Sequence, residues 1–424
     1  MTDGTKALRS LLLALALAWH VLCVATPAWT QASDQTQARD FASYYYAVAV
    51  ASKGGDPYDT DALSEAAQDD GTRRYVHPFL YAPPFLLSMT WTRQMSLGEA
   101  YHLWFWLDEV LAVAAGLILW RWWRPLSNDT ALAVVAVGAL MTALPNNHGM
   151  GQANFPGLVL ALAGLWATDR DRDVLGGLLM GAACMLKMSP ALFLILWAVR
   201  GRWKAIGAAV AMAVAMSLAT LPLAGLGVQW RFYTEVLPTF SNGFYNGLAV
   251  PISLFGNHSL PNVIDAMMPG SDHRMSLPAR IVSGALTAGM LLVVGAVFRG
   301  APSEGQEGAF QRAAQAACFG VLLLLIPVFT YEHHLIFAIP AAVVVILGMT
   351  TGRLPRWAWI PAALAVGVLL VDLQLIKSLV AEMPRGWLAF QIALRELKFA
   401  SLVVLAAATA WLGATAPLVE PRKP

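Results

Sequence analysis

The sequence predicts an all-α polytopic membrane protein, and two observations carry this prediction. Of the 424 residues, 58% are hydrophobic and only 13% are charged, with a mean hydropathy of +0.57. Charged residues make up about a quarter of ordinary soluble domains. In addition, the apolar residues occur in blocks of about fifteen to twenty-five, separated by short charged segments, as transmembrane helices require. A soluble globular protein is therefore excluded.

About twelve apolar segments are candidates for transmembrane helices, and we interpret residues 1–424 as a single integral membrane domain. The segments lie near 8–30, 103–123, 130–146, 154–168, 174–188, 190–200, 204–224, 279–298, 313–330, 334–350, 357–376 and 387–412. The fifth and sixth are short for spans, so the stretch from Lys187 to Pro190 is either an outer turn or a kink inside one helix. Two spans are preferred, because one would place all the later basic turns outside.

The distribution of basic residues predicts the orientation. With the N-terminus in the cytoplasm, every inner turn carries Lys or Arg, as the positive-inside rule expects. These residues are Lys6, Arg9, Arg121, Arg124, Arg170, Arg172, Arg200, Arg202, Lys204, Arg299, Arg312, Arg353, Arg356, Arg422 and Lys423. The opposite side receives the long acidic segment 31–102 and a second long segment, 225–278. We therefore predict a bacterial-type inner (plasma) membrane protein whose functional loops face the periplasm or exterior.

The first apolar segment has two interpretations. A basic start, an LLLALALA core and small residues near Ala32 are typical of a signal peptide. A retained anchor that ends near Trp29 is the preferred interpretation. Either one leaves residue 33 onward outside.

The first outer segment, 31–102, is too long to be a simple connection, and long ordered loops often carry function. Its stretch from Asp40 to Gly55 has aromatic and small residues at helical spacing, which predicts an interfacial helix lying on the outer leaflet. A second, polar helix is expected from about Thr60 to Asp70. Residues 75–91 are apolar but interrupted by prolines, which indicates a membrane-surface or re-entrant piece.

Asp40 is the first candidate for chemistry. A carboxylate at the membrane surface can act as general base toward a lipid-borne hydroxyl. The alternative is that Asp40 only caps its helix, because acidic side chains are favoured at helix N-termini. Asp56 and Asp59 flank Pro57 and Tyr58, and this pattern is typical of a turn.

Further polar residues recur at the outer ends of predicted spans. They are His148, Gln152, Asn154, Lys187, Tyr331, Glu332, His333 and His334. Ionisable groups at membrane depth are energetically costly and therefore mark functional candidates. The alternatives are that Lys187 extends to the interface and that the histidines form a polar turn. Their convergence on one side favours a shared pocket.

Several functional classes are disfavoured. Cys23, Cys184 and Cys318 lie inside apolar runs without CxxC spacing, so neither a disulfide framework nor a zinc site is predicted. No HExxH motif, EF-type loop, Walker loop or GxGxxG motif occurs, so no metal or nucleotide cofactor is expected. The net charge of +2 is small and scattered, so no nucleic-acid partner is expected. A transporter or lipid flippase remains the non-enzyme alternative.

Several motifs, taken in order, resemble those of a known family. They are Asp40-Phe41, Tyr44-Tyr45-Tyr46, Gly55-Asp56-Pro57-Tyr58-Asp59, Tyr81-Ala82-Pro83-Pro84-Phe85, Gly151-Gln152-Ala153-Asn154, and the glycine-rich run from Gly176 to Lys187 and Pro190. Together they resemble glycosyltransferase family 87, the polyprenol-phosphate-mannose-dependent mannosyltransferases of the C-type membrane fold. The similarity is densest over 38–200, and His77-Pro78 departs from the tighter Tyr-Pro-Pro pattern of many relatives.

The resemblance implies a reaction and a set of site residues. Asp40 would be the catalytic base of an inverting single displacement, in which an acceptor hydroxyl attacks a sugar carried on polyprenyl phosphate. Lys187, His333, His334 and Asn154 would stabilise the leaving phosphate. The acceptor or loop candidates are Arg39, Tyr44, Asp56, Tyr58, Asp59 and Gln152. Expected partners are the polyprenyl-phosphate sugar, a lipid-linked or glycan acceptor and membrane lipids; a ligase that transfers a whole glycan is the enzyme alternative.

Overall fold

The computed structural model describes residues 3–26, 29, 38–248 and 250–414, and these residues form helices and turns without a β-strand. The predicted all-α class is therefore confirmed for the part of the chain described. The predictions that concern residues 31–37 and the terminal Arg422 and Lys423 lie outside the described residues. Short 3₁₀ segments join many of the helices, most notably at Glu332–Ala338.

Among the described residues, five helices are long and apolar enough to span a membrane. They are Leu97–Trp123, Trp203–Thr220, Leu277–Phe298, Gly305–Leu325 and Glu332–Thr350. Two bent pairs, which raise the number to seven if each is one span, are Thr130–Leu140 with Ala143–Met150 at 53° and Arg356–Leu369 with Leu373–Glu382 at 96°. Shorter apolar helices are Arg9–Ala25, Asn154–Thr168, Asp173–Leu186, Ser189–Val199 and Leu397–Gly413. The membrane class is confirmed, whereas twelve crossings stay a prediction.

The stretch 173–200 forms a hairpin. Arg200 Nη1 lies 3.5 Å from Asp169 Oδ1, and Arg202 Nη1 lies 2.9 Å from Asp171 Oδ1, so the turns before and after this stretch meet at one end of the bundle. The helix Asp173–Leu186 ends where Lys187 becomes extended, with φ of −153°. Lys187 therefore lies at the opposite end, between two helices rather than at a kink inside one.

Close packing holds the helix that leads to Lys187. A Cβ at Gly177 would collide with the backbone of Ala205, and a Cβ at Gly181 would collide with that of Ala209. Both partners lie on the helix Trp203–Thr220, so the two helix backbones pack at close range. This small-residue contact is typical of helix pairs in membranes. This contact fixes the position of the end of the helix, directly before Lys187.

The spans differ in their surroundings. Helix Gly305–Leu325 and the span Glu332–Thr350 are enclosed by other helices. The helices Trp203–Thr220 and Leu277–Phe298 lie at the periphery, with most of their apolar side chains exposed. In a membrane protein this exposed apolar surface is the lipid-facing surface. The centre of the molecule is therefore the histidine-bearing span Glu332–Thr350.

The first outer segment is built differently from the prediction. Its helix Arg39–Ser52 exists, but nine of its 14 residues are buried, so it does not lie on the outer leaflet with one open face. The helix Thr60–Asp69, the proline-rich stretch 75–95 and the start of Leu97–Trp123 cover it. Phe41, Tyr44, Tyr46, Phe79 and Phe85, which the pattern assigns to a membrane surface, pack instead in a core that also contains Tyr58, Tyr101 and Trp104.

The second outer segment packs against the first. It contains Leu226–Arg231, the π-helix Phe232–Val236, three short turns of helix between Leu237 and Gly247, and Leu260–Met267. Phe232 stacks on Tyr58 with ring centroids 5.4 Å apart. Arg231 pairs with Asp56, and Asn246 Nδ2 donates to the Tyr58 carbonyl at 3.0 Å. The two outer segments therefore share one core above the bundle.

Candidate active site

Asp40 lies in the first turn of the helix Arg39–Ser52, but its carboxylate makes no capping hydrogen bond to the helix backbone. Its two oxygens are bound by side chains from distant segments. His77 Nδ1–H donates to Asp40 Oδ1 at 3.2 Å, and Gln152 Nε2–H donates to Asp40 Oδ2. About 20% of the Asp40 side chain remains exposed. Asp40 therefore has the first-turn position that the capping alternative requires but not the capping hydrogen bond, and the carboxylate keeps an open face.

Local backbone geometry explains why Gln152 reaches Asp40. Gly151 ends the helix Ala143–Met150 in the left-handed conformation, with φ of +66°. A Cβ at this position would also lie 2.6 Å from the Cβ of Phe41, the neighbour of Asp40. Only glycine satisfies both conditions without strain. The Gly-Gln pair thus brings the amide against the carboxylate.

Two tyrosines extend this contact. Tyr81 OH donates to Gln152 Oε1 at 3.2 Å, and Tyr44 OH lies 2.8 Å from Tyr81 OH. Because Tyr81 gives its proton to Gln152, Tyr44 donates to Tyr81. Burial raises the pKa of both tyrosines, so they remain neutral donors. These hydrogen bonds, from Tyr44 to Tyr81 and from Tyr81 to Gln152, orient the Gln152 amide so that its N–H points at Asp40.

Asp40 is held in its ionised form. Burial is the largest single influence on the pKa of Asp40, and it raises this pKa. The hydrogen bond from His77 and the charges of His333 and His77 together lower the pKa by more than burial raises it. The resulting pKa lies below the ordinary value of 3.8. At neutral pH the group is a carboxylate, which is the form that can accept a proton.

Lys187 supplies a positive charge to the same place. Its Nζ lies 5.5 Å from the centroid of the Tyr81 ring, and its charge interacts with those of Asp40 and His333. Within the described part of the chain, no carboxylate lies within ion-pair distance of Lys187. A half-buried ammonium that makes no ion pair is suited to bind an anion, since no carboxylate neutralises its charge at contact distance.

His333 and His334 begin the 3₁₀ helix Glu332–Ala338, and their ring centroids are 4.2 Å apart. His334 Nδ1 accepts the backbone N–H of Tyr331 at 3.0 Å, so Nε2 carries the proton of the neutral ring. His333 is buried close to Asp40. The residues predicted to form a polar turn therefore form the first turn of a 3₁₀ helix, and both histidine rings lie at the site.

Asn154 lies behind the histidines. Its Nδ2 donates to the His333 carbonyl at 3.0 Å and to Asn147 Oδ1 at 2.9 Å, so both donors of this fully buried amide are used. Asn147 Nδ2 in turn donates to Asp108 Oδ2 at 2.8 Å. The geometry gives Asn154 the task of positioning His333, not the direct contact with phosphate that the sequence predicts.

Three of the other loop candidates, Asp56, Tyr58 and Asp59, have partners other than Asp40. Asp59 accepts the N–H groups of Asp61 and Ala62 at 3.1 and 3.3 Å and caps the helix Thr60–Asp69. Tyr58 is buried, and its hydroxyl donates to the Tyr81 carbonyl at 2.7 Å. Tyr58 therefore positions Tyr81, while Asp56 binds Arg231. Arg39 is exposed beside Asp40.

Sequence reasoning missed a buried charged cluster formed by Glu332, Lys398, His258 and Thr142. Lys398 pairs with Glu332 Oε1, and His258 Nε2 lies 3.1 Å from Glu332 Oε2. Thr142 Oγ1 lies 3.0 Å from Glu332 Oε1. The four residues come from four separate segments, and only Glu332, next to the histidine pair, carried a signal in the sequence.

A second cluster surrounds His148, a residue predicted as a functional candidate, but its partners Glu109 and His20 were missed. Its Nε2 lies 3.0 Å from Glu109 Oε1, and His20 Nε2 lies 3.1 Å from Glu109 Oε2. The angles at the His148 ring are unsuitable for hydrogen bonds, so the contact between His148 and Glu109 is an ion pair only. Among the residues described, no group of three or more His, Cys, Asp or Glu side chains is arranged to hold a metal ion. Metal-independent catalysis stays a prediction.

Comparison with known proteins identifies a family. The family model for glycosyltransferase family 87 matches residues 79–327, a range that contains Lys187 and begins after Asp40. A curated relative from Mycolicibacterium smegmatis is named a polyprenol-phosphate-mannose-dependent alpha-(1-2)-phosphatidylinositol pentamannoside mannosyltransferase. It is 26% identical over 367 residues, which cover 83% of this chain and 80% of the relative. No solved structure matches. Because the family model spans more than half of the chain, this protein belongs to glycosyltransferase family 87 and is a membrane glycosyltransferase.

Proposed function

We propose that this enzyme transfers a single sugar, mannose, from a polyprenyl-phosphate donor to a lipid-linked or glycan acceptor. One observation carries the proposal: an ionised carboxylate with an open face, Asp40, lies beside an unpaired cation, Lys187. A glycosyl transfer needs both charges, one to take a proton and the other to stabilise a leaving phosphate. The name of the relative supports the class of donor.

The proposed reaction is a single displacement. Asp40 takes the proton from the acceptor hydroxyl while the hydroxyl oxygen attacks the anomeric carbon. The bond from that carbon to the phosphate oxygen breaks, and the configuration at the carbon inverts. Lys187, His333 and His334 stabilise the negative charge that collects on the departing lipid phosphate. His77 and Gln152 hold the carboxylate in place for the transfer.

We also propose that the site faces the periplasm or exterior of an inner membrane, on a C-type bundle with about twelve crossings. The turns that carry Arg200 and Arg202 meet at one end of the bundle, and Lys187 lies at the other. Positive residues are retained on the cytoplasmic side. Nucleotide sugars do not ordinarily reach the opposite side, so a donor carried on a membrane lipid suits a site there.

The direct test is a transfer assay. Purified protein in detergent or vesicles is incubated with labelled polyprenyl-phosphate mannose and a lipid extract, and we expect label to move to an acceptor lipid or glycan. Movement of intact donor between leaflets without sugar transfer would favour a flippase and contradict the proposal. An impermeant thiol reagent applied to cysteines placed at Lys53 and Arg202 checks the orientation, with labelling expected only at position 53.

A further inference from the structure

Asp108 lies inside the helix Leu97–Trp123 and has no exposed surface. One of its carboxylate oxygens, Oδ2, accepts the Asn147 Nδ2–H at 2.8 Å. Within the described part of the chain, the other oxygen, Oδ1, has no hydrogen-bond partner. A buried carboxylate at membrane depth is energetically costly, and an unsatisfied oxygen adds to the cost. The reaction proposed above gives Asp108 no task that offsets this cost.

An ion pair explains Asp108 only in part. His148 Nδ1 lies 3.7 Å from Asp108 Oδ2, at angles unsuitable for a hydrogen bond. The other nitrogen of the same ring lies closer to a different carboxylate, 3.0 Å from Glu109 Oε1, and Glu109 also has His20 at 3.1 Å. Among the residues described, the shortest polar contact of Asp108 is the amide of Asn147. The task of Asp108 therefore lies beyond this amide.

From Asn147, hydrogen bonds continue to the histidine pair. Asn147 Oδ1 accepts from Asn154 Nδ2 at 2.9 Å, and the same Nδ2 donates its second hydrogen to the His333 carbonyl at 3.0 Å. We call the side chains of Asp108, Asn147 and Asn154 the amide relay. All three are fully buried, and with His333 they come from four different helices. The amide relay therefore connects the interior of a membrane span to the proposed phosphate site.

The carboxylate sets the direction of every bond in the amide relay. A carboxylate has no hydrogen to donate, so the Asn147 amide must turn its NH₂ group toward Asp108 and its oxygen toward Asn154. Asn154 must then present its own NH₂ group, which also reaches the His333 carbonyl. The backbone of Asn147 is fixed separately, because its carbonyl accepts the Gln152 N–H at 3.0 Å. Rotation of the two amides is therefore the freedom that Asp108 removes.

We propose that Asp108 is a positioning residue that acts through Asn147 and Asn154 to hold His333 where the donor phosphate binds; the role of His333 rests on the proposed function. If the Asn154 amide rotates, its oxygen faces the His333 carbonyl, and the two acceptors repel each other. The first turn of the helix Glu332–Ala338, which carries the His333 ring, is then displaced. A carboxylate is required at position 108, because an amide there can donate or accept and permits both orientations.

A swap of side chains tests the direction of these bonds. Asp108→Asn permits both amide orientations, and Asn147→Asp alone places two carboxylates within hydrogen-bond distance of each other. The double variant Asp108→Asn with Asn147→Asp moves the carboxylate one place along the amide relay, where it still requires Asn154 to donate. Glu109→Gln is the matched control, because it removes a carboxylate from the same helix whose printed partners, His20 and His148, lie outside the amide relay.

The first readout is the affinity of each variant for a sugar-free prenyl phosphate, with the thermal unfolding midpoint measured in parallel. We expect Asp108→Asn to weaken binding by about three- to tenfold, the factor that one hydrogen bond of ordinary net strength contributes. The double variant should recover the wild-type affinity, and Glu109→Gln should retain it. Unchanged affinity in Asp108→Asn, or an equal loss in the double variant, would overturn the assignment.

A double-mutant cycle distinguishes positioning of His333 from a general loosening of the bundle. In a His333→Ala background the amide relay has no ring left to position, so Asp108→Asn should weaken prenyl phosphate binding no further. A residue that only stabilises the bundle would weaken binding by the same factor in both backgrounds. Equal factors in the two backgrounds would therefore contradict the positioning role.

A third measurement depends on neither donor nor sugar transfer. The ring resonance of His333 is observed by NMR in protein labelled with isotopic histidine, and it is assigned by its loss in His333→Ala. We expect Asp108→Asn to shift this resonance and Glu109→Gln to leave it in place. A His333 resonance that stays unshifted in Asp108→Asn would exclude the positioning role. If the wild type transfers no sugar while Asp108→Asn shifts the resonance, the proposed function fails and the positioning of His333 stands.

Discussion

Asp40 and Glu332 are two carboxylates near the same pocket, and their surroundings differ in one decisive way. Glu332 is 6% exposed, and both of its oxygens are bound, one by Lys398 and Thr142 and the other by His258. Asp40 is 20% exposed, and its partners are an imidazole and an amide. Lys187, whose charge interacts with that of Asp40, is not in ion-pair contact with it. One carboxylate is fully satisfied and the other is not.

The difference distinguishes a charge that stabilises the structure from a charge that can act on a substrate. A buried ion pair whose hydrogen bonds are complete joins chain segments but has no lone pair left for a substrate. Glu332 accordingly ties the histidine segment to the second outer segment and to the C-terminal helix Leu397–Gly413. An ionised carboxylate with an open face and an unpaired cation beside it can act on a substrate. This contrast is a hypothesis that four substitutions test.

The largest effect is expected for Asp40→Asn. The substitution keeps the shape and still accepts the Gln152 amide, but it removes the basic lone pair. General-base assistance is worth about 10²–10⁴-fold, so the transfer rate should fall by that factor. The thermal unfolding midpoint should be unchanged, because the carboxylate does not cap its helix. Initial rates with labelled donor check this, and near-normal turnover would remove Asp40 from the role of base.

Lys398→Met should affect stability most. It leaves Glu332 charged, buried and without its cation, and breaking a buried pair in this way costs about 3–5 kcal/mol in the free energy of unfolding. The double variant Glu332→Gln with Lys398→Met removes both charges and should recover most of the loss. Denaturant titration of both variants in detergent measures the difference. Equal losses in the single and double variants would show that the pair is not a structural anchor.

Lys187→Met sharpens the contrast between the paired and the unpaired lysine. A hydrogen bond to a charged group contributes about 1.5–3 kcal/mol, so donor affinity should fall by about ten- to a hundredfold while the unfolding midpoint stays near wild type. Lys53→Met, which removes an exposed lysine of the first outer segment, is the control and should change neither. Unchanged donor affinity in Lys187→Met would exclude a phosphate contact.

The smallest effect is expected in the pH profile of His77→Leu. In the wild type the pKa of Asp40 is below 3.8, so the carboxylate stays ionised, and the rate is retained, until the pH falls through that lowered value. Without the hydrogen bond from His77, the raising effect of burial has less opposition, and the acidic limb of kcat/KM should move to higher pH. Gln152→Leu should move it less, since Gln152 is the weaker influence. An unshifted limb in His77→Leu would contradict the proposed electrostatics.

Much of the site could be predicted because it depends on short-range patterns. Apolar blocks indicate where helices lie, and Lys187, His333 and Asp40 are recognisable as polar groups at the ends of such blocks. For Asn154, the role at the leaving phosphate was implied only by the family resemblance. In the structure, the His333 carbonyl takes one of its donors, and that contact joins residues 179 positions apart.

The membrane class, the apolar segments and the residue types available for chemistry follow from the amino-acid sequence alone, because hydropathy and helix periodicity are local properties of the chain. Tertiary structure decided that the helix Arg39–Ser52 is buried, that His77 and Gln152 hold Asp40, and that Lys398 neutralises Glu332. The reason is physical: whether a carboxylate is a base or an anchor depends on which charges lie within a few ångströms. That proximity is produced by packing between segments far apart in the chain.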